Sequence, residues 1–318
     1  MKKIYSILKI LITGGLGFIG SHLSNELSKK HEIIILTRSL KKKKNISENS
    51  KNIKIIKVNL NNFRKLGQII EKNKPEVIIH LSGETSHSKS FEHPIDDIDS
   101  NAKSTLFILE ILRKMNLKCK FILGSTFIVI GKPTKLPVDE NTSCNPSTIY
   151  GTNRLASEQY CKIYHNVYGM DTLIFRITNS YGPREQIIPT KNAINYLIHQ
   201  AYLGNNLTIF NEGKFFRDII FVSDVIDGIK KIISKGKSGE TYWIASGNKI
   251  WFYELGNLLK DITNVKVDYI KTPTYTKKVD VGNFVVNNKK LQSLGWKPKF
   301  TLREGIIETI NYFSKMGS

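Results

Sequence analysis

The octapeptide TGGLGFIG, Thr13–Gly20, directly follows the largely apolar run from Ile7 to Ile12. Few local structures satisfy both segments. A strand must run into a tight glycine turn, and the turn must open a helix from Phe18 onward. That junction aims unpaired backbone N–H groups and the positive end of a helix dipole at one point, which suits a pyrophosphate. Glycine permits the sharp turn, lets backbone approach phosphate, and brings helix and strand together. Gly14, Gly17, Phe18, Ile19 and Gly20 are therefore the candidate phosphate-binding residues.

Downstream, short apolar runs alternate with helical patterns, the order a parallel sheet with crossover helices requires. Strands are expected at Leu8–Thr13, Glu32–Thr37, Ile53–Val58, Val77–Leu81, Phe121–Ser125 and Thr172–Arg176. Helices are expected at Phe18–Lys29, Arg64–Lys72, Asp96–Met115, Tyr150–Tyr168, Lys191–Leu203 and Leu302–Phe313. The fold class is α/β, a Rossmann-type doubly wound parallel sheet with a smaller C-terminal region. The alternation fades near residue 178. Residues 1–178 are expected to form the dinucleotide-binding domain, with later segments returning to it. Residues 179–318 are expected to form mainly the substrate-binding domain.

The chain has 318 residues, 48 of them basic and 27 acidic, for a net charge of +21. Such a charge draws anionic partners. Here, however, it is spread as Lys throughout the chain with no aromatic-basic module, so nucleic acid is not the expected partner. Cys119, Cys144 and Cys161 show neither metal-ligand nor redox spacing. They are expected to be reduced thiols in a cytoplasmic protein with no metal. The N-terminus superficially resembles a signal peptide, but Lys9 interrupts its apolar run and the glycine turn needs that strand. No apolar run is long enough for a membrane span.

Seven segments together resemble the extended short-chain dehydrogenase/reductases of the nucleotide-sugar epimerase/dehydratase group. They are TGGLGFIG, HLSG at 80–83, GSTFIVIG at 124–131, YGTNR at 150–154, RITNSYGPR at 176–184, RDIIFVSDV at 217–225 and LGWKPKFTLREG at 294–305. The resemblance implies that a tyrosine base removes the proton of a sugar hydroxyl while hydride passes to a nicotinamide, and it assigns Tyr150 to that role. The family's partner lysine falls on Arg154, which keeps the charge but is planar and bulkier. Thr126 falls where the family bonds the reacting sugar oxygen. Thr126, Tyr150 and Arg154 are thus the catalytic candidates.

Phe127 and Ile128 occupy the positions that carry an acid pair in the 4,6-dehydratases. Neither transfers a proton, which argues against that reaction. At the end of the second strand, Thr37-Arg38-Ser39 replaces the acid expected for NAD. Arg38 suits a 2′-phosphate and favours NADP over NAD. Asn59, Leu60 and Leu81, with Tyr150 and Arg154, complete the expected cofactor contacts. Glu84, Thr126, Asn179 and Arg217 are the substrate candidates. His80 reads as a packed residue, and Asn101 matches an asparagine that orders the active-site loop. His87 is a further acid/base candidate, and Arg184 a loop cap or a substrate contact. Asp218 and Asp224 read as loop ties, and Lys277 and Lys278 sit near the nucleotide-gripping position before Asp280.

The leading expectation is a nucleotide-sugar epimerase acting by transient oxidation of a sugar hydroxyl. An NADP-dependent 4-keto nucleotide-sugar reductase or dehydrogenase is the alternative, and a catalytically impaired nucleotide-binding scaffold is a third. The partner is a nucleotide-diphosphate sugar. The resemblance also implies a homodimer formed through the helices at Asp96–Met115 and Tyr150–Tyr168.

Overall fold

The computed structural model describes residues 7–48, 50–85, 87–189, 192–271 and 281–317, without the side chains of residues 87 and 88. Strands β1 (Lys9–Thr13), β2 (Glu32–Thr37), β3 (Ile53–Lys57), β4 (Val77–His80), β5 (Lys120–Thr126) and β6 (Thr172–Ile177) form most of a parallel sheet. Further along come β7 (Asn179–Tyr181), β8 (Leu207–Phe210), β9 (Phe216–Arg217), β10 (Ile219–Phe221), β11 (Thr241–Ile244), β12 (Ile250–Trp251) and β13 (Val267–Ile270). Strand β11 joins the main sheet beside β6, giving the order β11-β6-β5-β4-β1-β2-β3. The pairs β7–β10, β9–β12 and β8–β13 are small separate sheets.

The helices are α1 (Phe18–Leu27), α2 (Phe63–Asn73), α3 (His87–Glu92), α4 (Pro94–Ile98), α5 (Ser104–Lys114), α6 (Ile149–Tyr168), α7 (Ala193–Tyr202), α8 (Val222–Lys235), α9 (Phe252–Thr263), α10 (Lys289–Gln292) and α11 (Leu302–Gly317). Both faces of the sheet are covered, and for this reason its strands are apolar throughout rather than alternating. Ile10, Ile12, Ile33, Ile35 and Ile79 join one core with Leu23 of α1 and Ile229 of α8. Their neighbours Leu11, Ile34, Leu36 and Ile78 join the other with Leu66 of α2, Ile108 of α5 and Cys161 of α6. This is the period-two alternation of a strand, and each such buried side chain contributes about 1.5–3 kcal/mol.

Strand β1 lies between β2 and β4, so successive connections leave it in opposite directions. The crevice at its carboxyl end is where ligands bind in sheets of this kind.

The helix expected over Asp96–Met115 is broken. A π-helical turn at Asp99–Lys103 separates α4 from α5. Hydroxyls take up the displaced carbonyls. Ser100 Oγ donates to Asp96 O at 2.6 Å, Ser104 Oγ to Ser100 O at 2.8 Å, and Thr105 Oγ1 to Asn101 O at 2.9 Å. These bonds compete with the regular helical ladder, and such bulges often sit at functional sites.

Candidate active site

The turn after β1 has the anticipated form. Gly14 adopts φ +70°, and its carbonyl accepts from Gly17 N at 2.9 Å. A Cβ on Gly20 would lie 2.2 Å from Gly14 O, so only glycine lets α1 pack this close. Helix α1 begins after Gly17 with no side-chain cap and no acid in its first turn. Uncapped N–H groups at a helix start, free of negative charge, fit a dinucleotide pyrophosphate. The second half of the chain closes onto this helix. His22 Nε2 lies 2.9 Å from Pro183 O, and Arg184 Nη1 lies 3.5 Å from Ser21 Oγ. Burial holds the His22 imidazole down to about 4.

At the end of β2, Thr37 Oγ1 donates to Ser39 O at 2.9 Å, closing a tight turn that leaves Arg38 exposed. Arg38 lines two adjoining clefts. One, of about 410 Å³, is bounded by Arg38, Lys57, Val58, Asn59, Asn62 and Lys65. It carries three cations and no carboxylate. The other, of about 490 Å³, runs from Arg38 and Asn59 past Glu84 to Asp97. Lys57 and Lys65 escaped the sequence reading; their signal was their place at the end of β3 and in the first turn of α2. Asn59 Oδ1 accepts from Asn61 N at 3.1 Å, and Leu60 is buried in the core.

His80 closes β4 and is fully buried. Its Nδ1 lies 2.7 Å from Thr13 Oγ1 and its Nε2 lies 3.2 Å from Ser104 Oγ. Ser104 spends its own proton on Ser100 O, and Thr13 Oγ1 accepts from Ser82 N. The consistent assignment is a neutral ring with its proton on Nε2. Burial first, then the charge of Arg154, push this imidazole down to about 3. His80 is thus a neutral strut between β1 and α5, in line with its reading as a packed residue. Leu81 follows, its N–H bonded to Thr13 O.

Tyr150 and Arg154 stand one turn apart at the start of α6, both buried. Helix α6 is capped by Thr148 Oγ1, which accepts from Gly151 N at 3.0 Å. Burial pushes the Tyr150 phenol above its ordinary value, while Arg154 and a hydrogen bond with Thr126 pull it back. Thr126 ends β5 beside it, its Oγ1 also accepting from Ile128 N at 3.3 Å. The Arg154 guanidinium donates from Nη2 to Gly124 O and from Nη1 to Asn101 Oδ1 at 3.4 Å. Asn101 Nδ2 in turn donates to Glu84 O at 3.3 Å, so Asn101 does hold the loop after β4. A Cβ on Gly83 would lie 2.2 Å from Asn101 Oδ1, so a larger residue there would displace the Asn101 amide. The structure therefore gathers Thr126, Tyr150, Arg154, Asn101 and Glu84 into one site.

Beneath it, Glu158 accepts from Ser125 Oγ at 2.6 Å and from Arg176 Nε and Nη2 at 3.0 and 2.7 Å. This bidentate buried pair pins β5, β6 and α6 together. Phe127 packs edge-on against Phe284 at 5.1 Å, and Ile128 packs on Tyr150.

Asn179 and Arg217 flank Asp218 on the small sheets rather than on the main one. Asn179 N and Nδ2 both donate to Asp218 O, while the Arg217 guanidinium lies over the Phe215 ring at 5.2 Å. Asp218 accepts from Ser246 N and Oγ, Gly247 N and Val286 N. Asp224 accepts from Lys299 N and Phe300 N. Both acids are loop ties, as read. Lys277, Lys278 and Asp280 lie outside the described residues, as does the His87 side chain.

Among the described residues no group of His, Cys, Asp and Glu could hold a metal, and no helix is long and apolar enough to cross a membrane. The three cysteines are free thiols.

The sequence profile of the NAD dependent epimerase/dehydratase family matches residues 10–245. A putative UDP-glucose 4-epimerase of Methanocaldococcus jannaschii is 31% identical over 95% of this chain and 97% of its own. A dTDP-D-glucose 4,6-dehydratase of Dictyostelium discoideum is 29% identical over 96% of this chain and 82% of its own. The crystal structure of UDP-glucose 4-epimerase from Thermotoga maritima, with UDP-glucose, superposes with TM-score 0.90 at 28% identity, covering 98% of this chain and all of that one. With its uncapped glycine turn and its buried Tyr150 beside Thr126, the chain belongs to the NAD-dependent epimerase/dehydratase family, the extended short-chain dehydrogenase/reductase enzymes.

Proposed function

We propose that this enzyme is a nucleotide-sugar epimerase that oxidises one sugar hydroxyl transiently and reduces it back with inverted configuration. The observation carrying this reading is the Thr126–Tyr150 pair beside Arg154, together with the apolar Phe127 and Ile128. Tyr150 takes the hydroxyl proton and later returns it. Thr126 shares its hydrogen bond with Tyr150 and with the reacting oxygen, and Arg154 supplies the fixed positive charge that favours the phenolate. The nicotinamide, when bound, supplies hydride acceptance and return. Phe127 and Ile128 have no proton to give or take, so elimination of water lacks its acid and base. UDP-glucose is the first substrate to test, because it is the sugar named for the relative and the solved neighbour above.

The segment after residue 178 supplies the substrate side, with Asn179 and Arg217 as donors for the diphosphate. Arg38, and the absence of an acid at the end of β2, favour NADP. The same observation supports the second reading, an NADP-dependent reductase of a 4-keto nucleotide sugar. Ile163, Val167 and Tyr168 leave an apolar stripe exposed on α6, which supports a homodimer through that helix; light scattering on the eluting protein tests it. The reactions are separated by mass spectrometry of small molecules released from freshly purified protein, followed by turnover without added cofactor. An epimerase carries its dinucleotide and needs none added; a reductase consumes NADPH mole for mole.

A further inference from the structure

Asp97 is a buried carboxylate, 1% exposed, in α4 immediately before the π-helical turn. Its Oδ1 accepts from Asn153 Nδ2 at 2.7 Å. Its Oδ2 is buried with no hydrogen-bond partner among the described residues. Nothing in the reaction proposed above uses it. An uncompensated buried carboxylate oxygen is costly, and its surroundings indicate what it acts on. Asn153 lies between Tyr150 and Arg154 in the first turn of α6. The π-helical turn that follows Asp97 is bound to the same stretch of α6, through Arg154 to Asn101 Oδ1 and Ser157 Oγ to Asn101 O at 3.2 Å. Asp97 thus closes a three-bond clamp between the broken helix and the turn that carries the base.

We propose, on the strength of the function above, that Asp97 is a positioning residue. Through Asn153 it fixes the first turn of α6, and its charge opposes that of Arg154 in the field around the Tyr150 hydroxyl. The charged and titratable groups that face Tyr150 come from three directions among the described residues. Arg154 lies on α6, Asp97 on α4, and Glu84 in the loop after β4, where Glu84 is 3.8 Å from Lys89. Thr126 approaches from β5 as a neutral hydroxyl, and Ile128 and Val281 are apolar. His80, whose imidazole feels the charge of Arg154, is neutral. An arginine cannot shed its proton, so a nearby carboxylate is the means left to this site for offsetting a permanent buried cation. Removing the carboxylate charge makes the phenol easier to ionise.

The test uses two variants of the full chain. Asp97→Asn keeps an oxygen for Asn153 but no charge, and Asp97→Ala loses both. The pH dependence of kcat/KM is measured with UDP-glucose. The limb on which activity rises with pH moves to lower pH in Asp97→Asn, by about half a unit or more. Asp97→Ala shows the same shift and in addition a lower kcat at every pH. A structural role alone leaves the limb in place in Asp97→Asn and lowers only the melting temperature, and that result overturns the proposal. A second readout needs no turnover, so failure of the epimerase reading is distinguishable. Phenol ionisation of Tyr150 is taken as the 295 nm absorbance difference between each protein and its Tyr150→Phe counterpart. It shifts to lower pH in the Asp97→Asn background if the proposal holds, and coincides with that of the parent if it does not.

Discussion

Arg154 Nη2 donates a hydrogen bond to the carbonyl oxygen of Gly124 in β5, so the cation beside Tyr150 is also a brace between helix and sheet. Its other terminal nitrogen reaches Asn101 in the π-helical turn. One side chain therefore joins three elements and pulls the Tyr150 phenol down against the upward push of burial. Lysine offers one nitrogen and a shorter reach in place of the two nitrogens that meet separate acceptors here. In Arg154→Lys the charge is kept and a buried acceptor is left unsatisfied, at about 1–3 kcal/mol. We predict a lower denaturant midpoint with little movement of the pH–activity limb. In Arg154→Met the charge is lost, Tyr150 is harder to ionise, and the limb moves to higher pH. Urea unfolding and pH–rate profiles of the two variants check this; identical profiles contradict it.

Tyr150→Phe removes the hydroxyl and leaves the ring packed against Ile128 and Val281. We predict a fall in kcat of about 10²–10⁴, the usual contribution of a positioned acid–base group, with little change in substrate affinity or melting temperature. Steady-state kinetics and calorimetry separate the two effects. Undiminished turnover removes Tyr150 from the mechanism.

Arg38→Ala tests the cofactor preference. One of the two clefts it lines holds Lys57 and Lys65 and no carboxylate, so loss of Arg38 should weaken NADP binding by about tenfold or more, the value of a charge-assisted hydrogen bond. NAD binding should change far less. Titration calorimetry with both dinucleotides gives the ratio; equal losses show that Arg38 does not read the 2′-phosphate.

His80 makes stability depend on pH. Its folded value is about 3 against 6.5 for the free imidazole. Between these values the unfolded chain binds a proton that the folded chain excludes. The contribution is intact above pH 6.5 and is lost as pH falls toward 3, at about 1.4 kcal/mol per unit. The urea midpoint of the parent should therefore drop between pH 7 and 5 by more than that of His80→Gln. A parallel drop in both proteins places the acid sensitivity elsewhere.

The sheet strands β1 to β6 were legible because a strand buried on both faces must be apolar along its length. The glycine turn was legible because its residue types serve backbone geometry directly. Strand β11 went unread: Thr241–Ile244, TYWI, lacks the aliphatic run that marked the equally short β4. The break at Asp99–Lys103 also went unread, since the apolar period continues through it. Its cause is a set of hydroxyl–carbonyl bonds, one of them from Ser157 on another helix. Tyr150 and Thr126 were marked as candidates by motif, and the structure brings them within a hydrogen bond of each other. The partner of Arg154 was not, because Gly124 presents only a backbone carbonyl, which no sequence pattern marks. Asp97 passed as one more acid on a helix, and only its pairing with Asn153 shows that it is buried.

The central claim is a reversible redox cycle on one sugar carbon, and isotope retention tests it most directly. Purified protein is incubated with UDP-glucose deuterated at C4, without added cofactor, and the products are followed by NMR. The account predicts UDP-galactose that keeps its deuterium at C4. Absence of the epimer, or an epimer whose C4 deuterium has exchanged for solvent hydrogen, would contradict it.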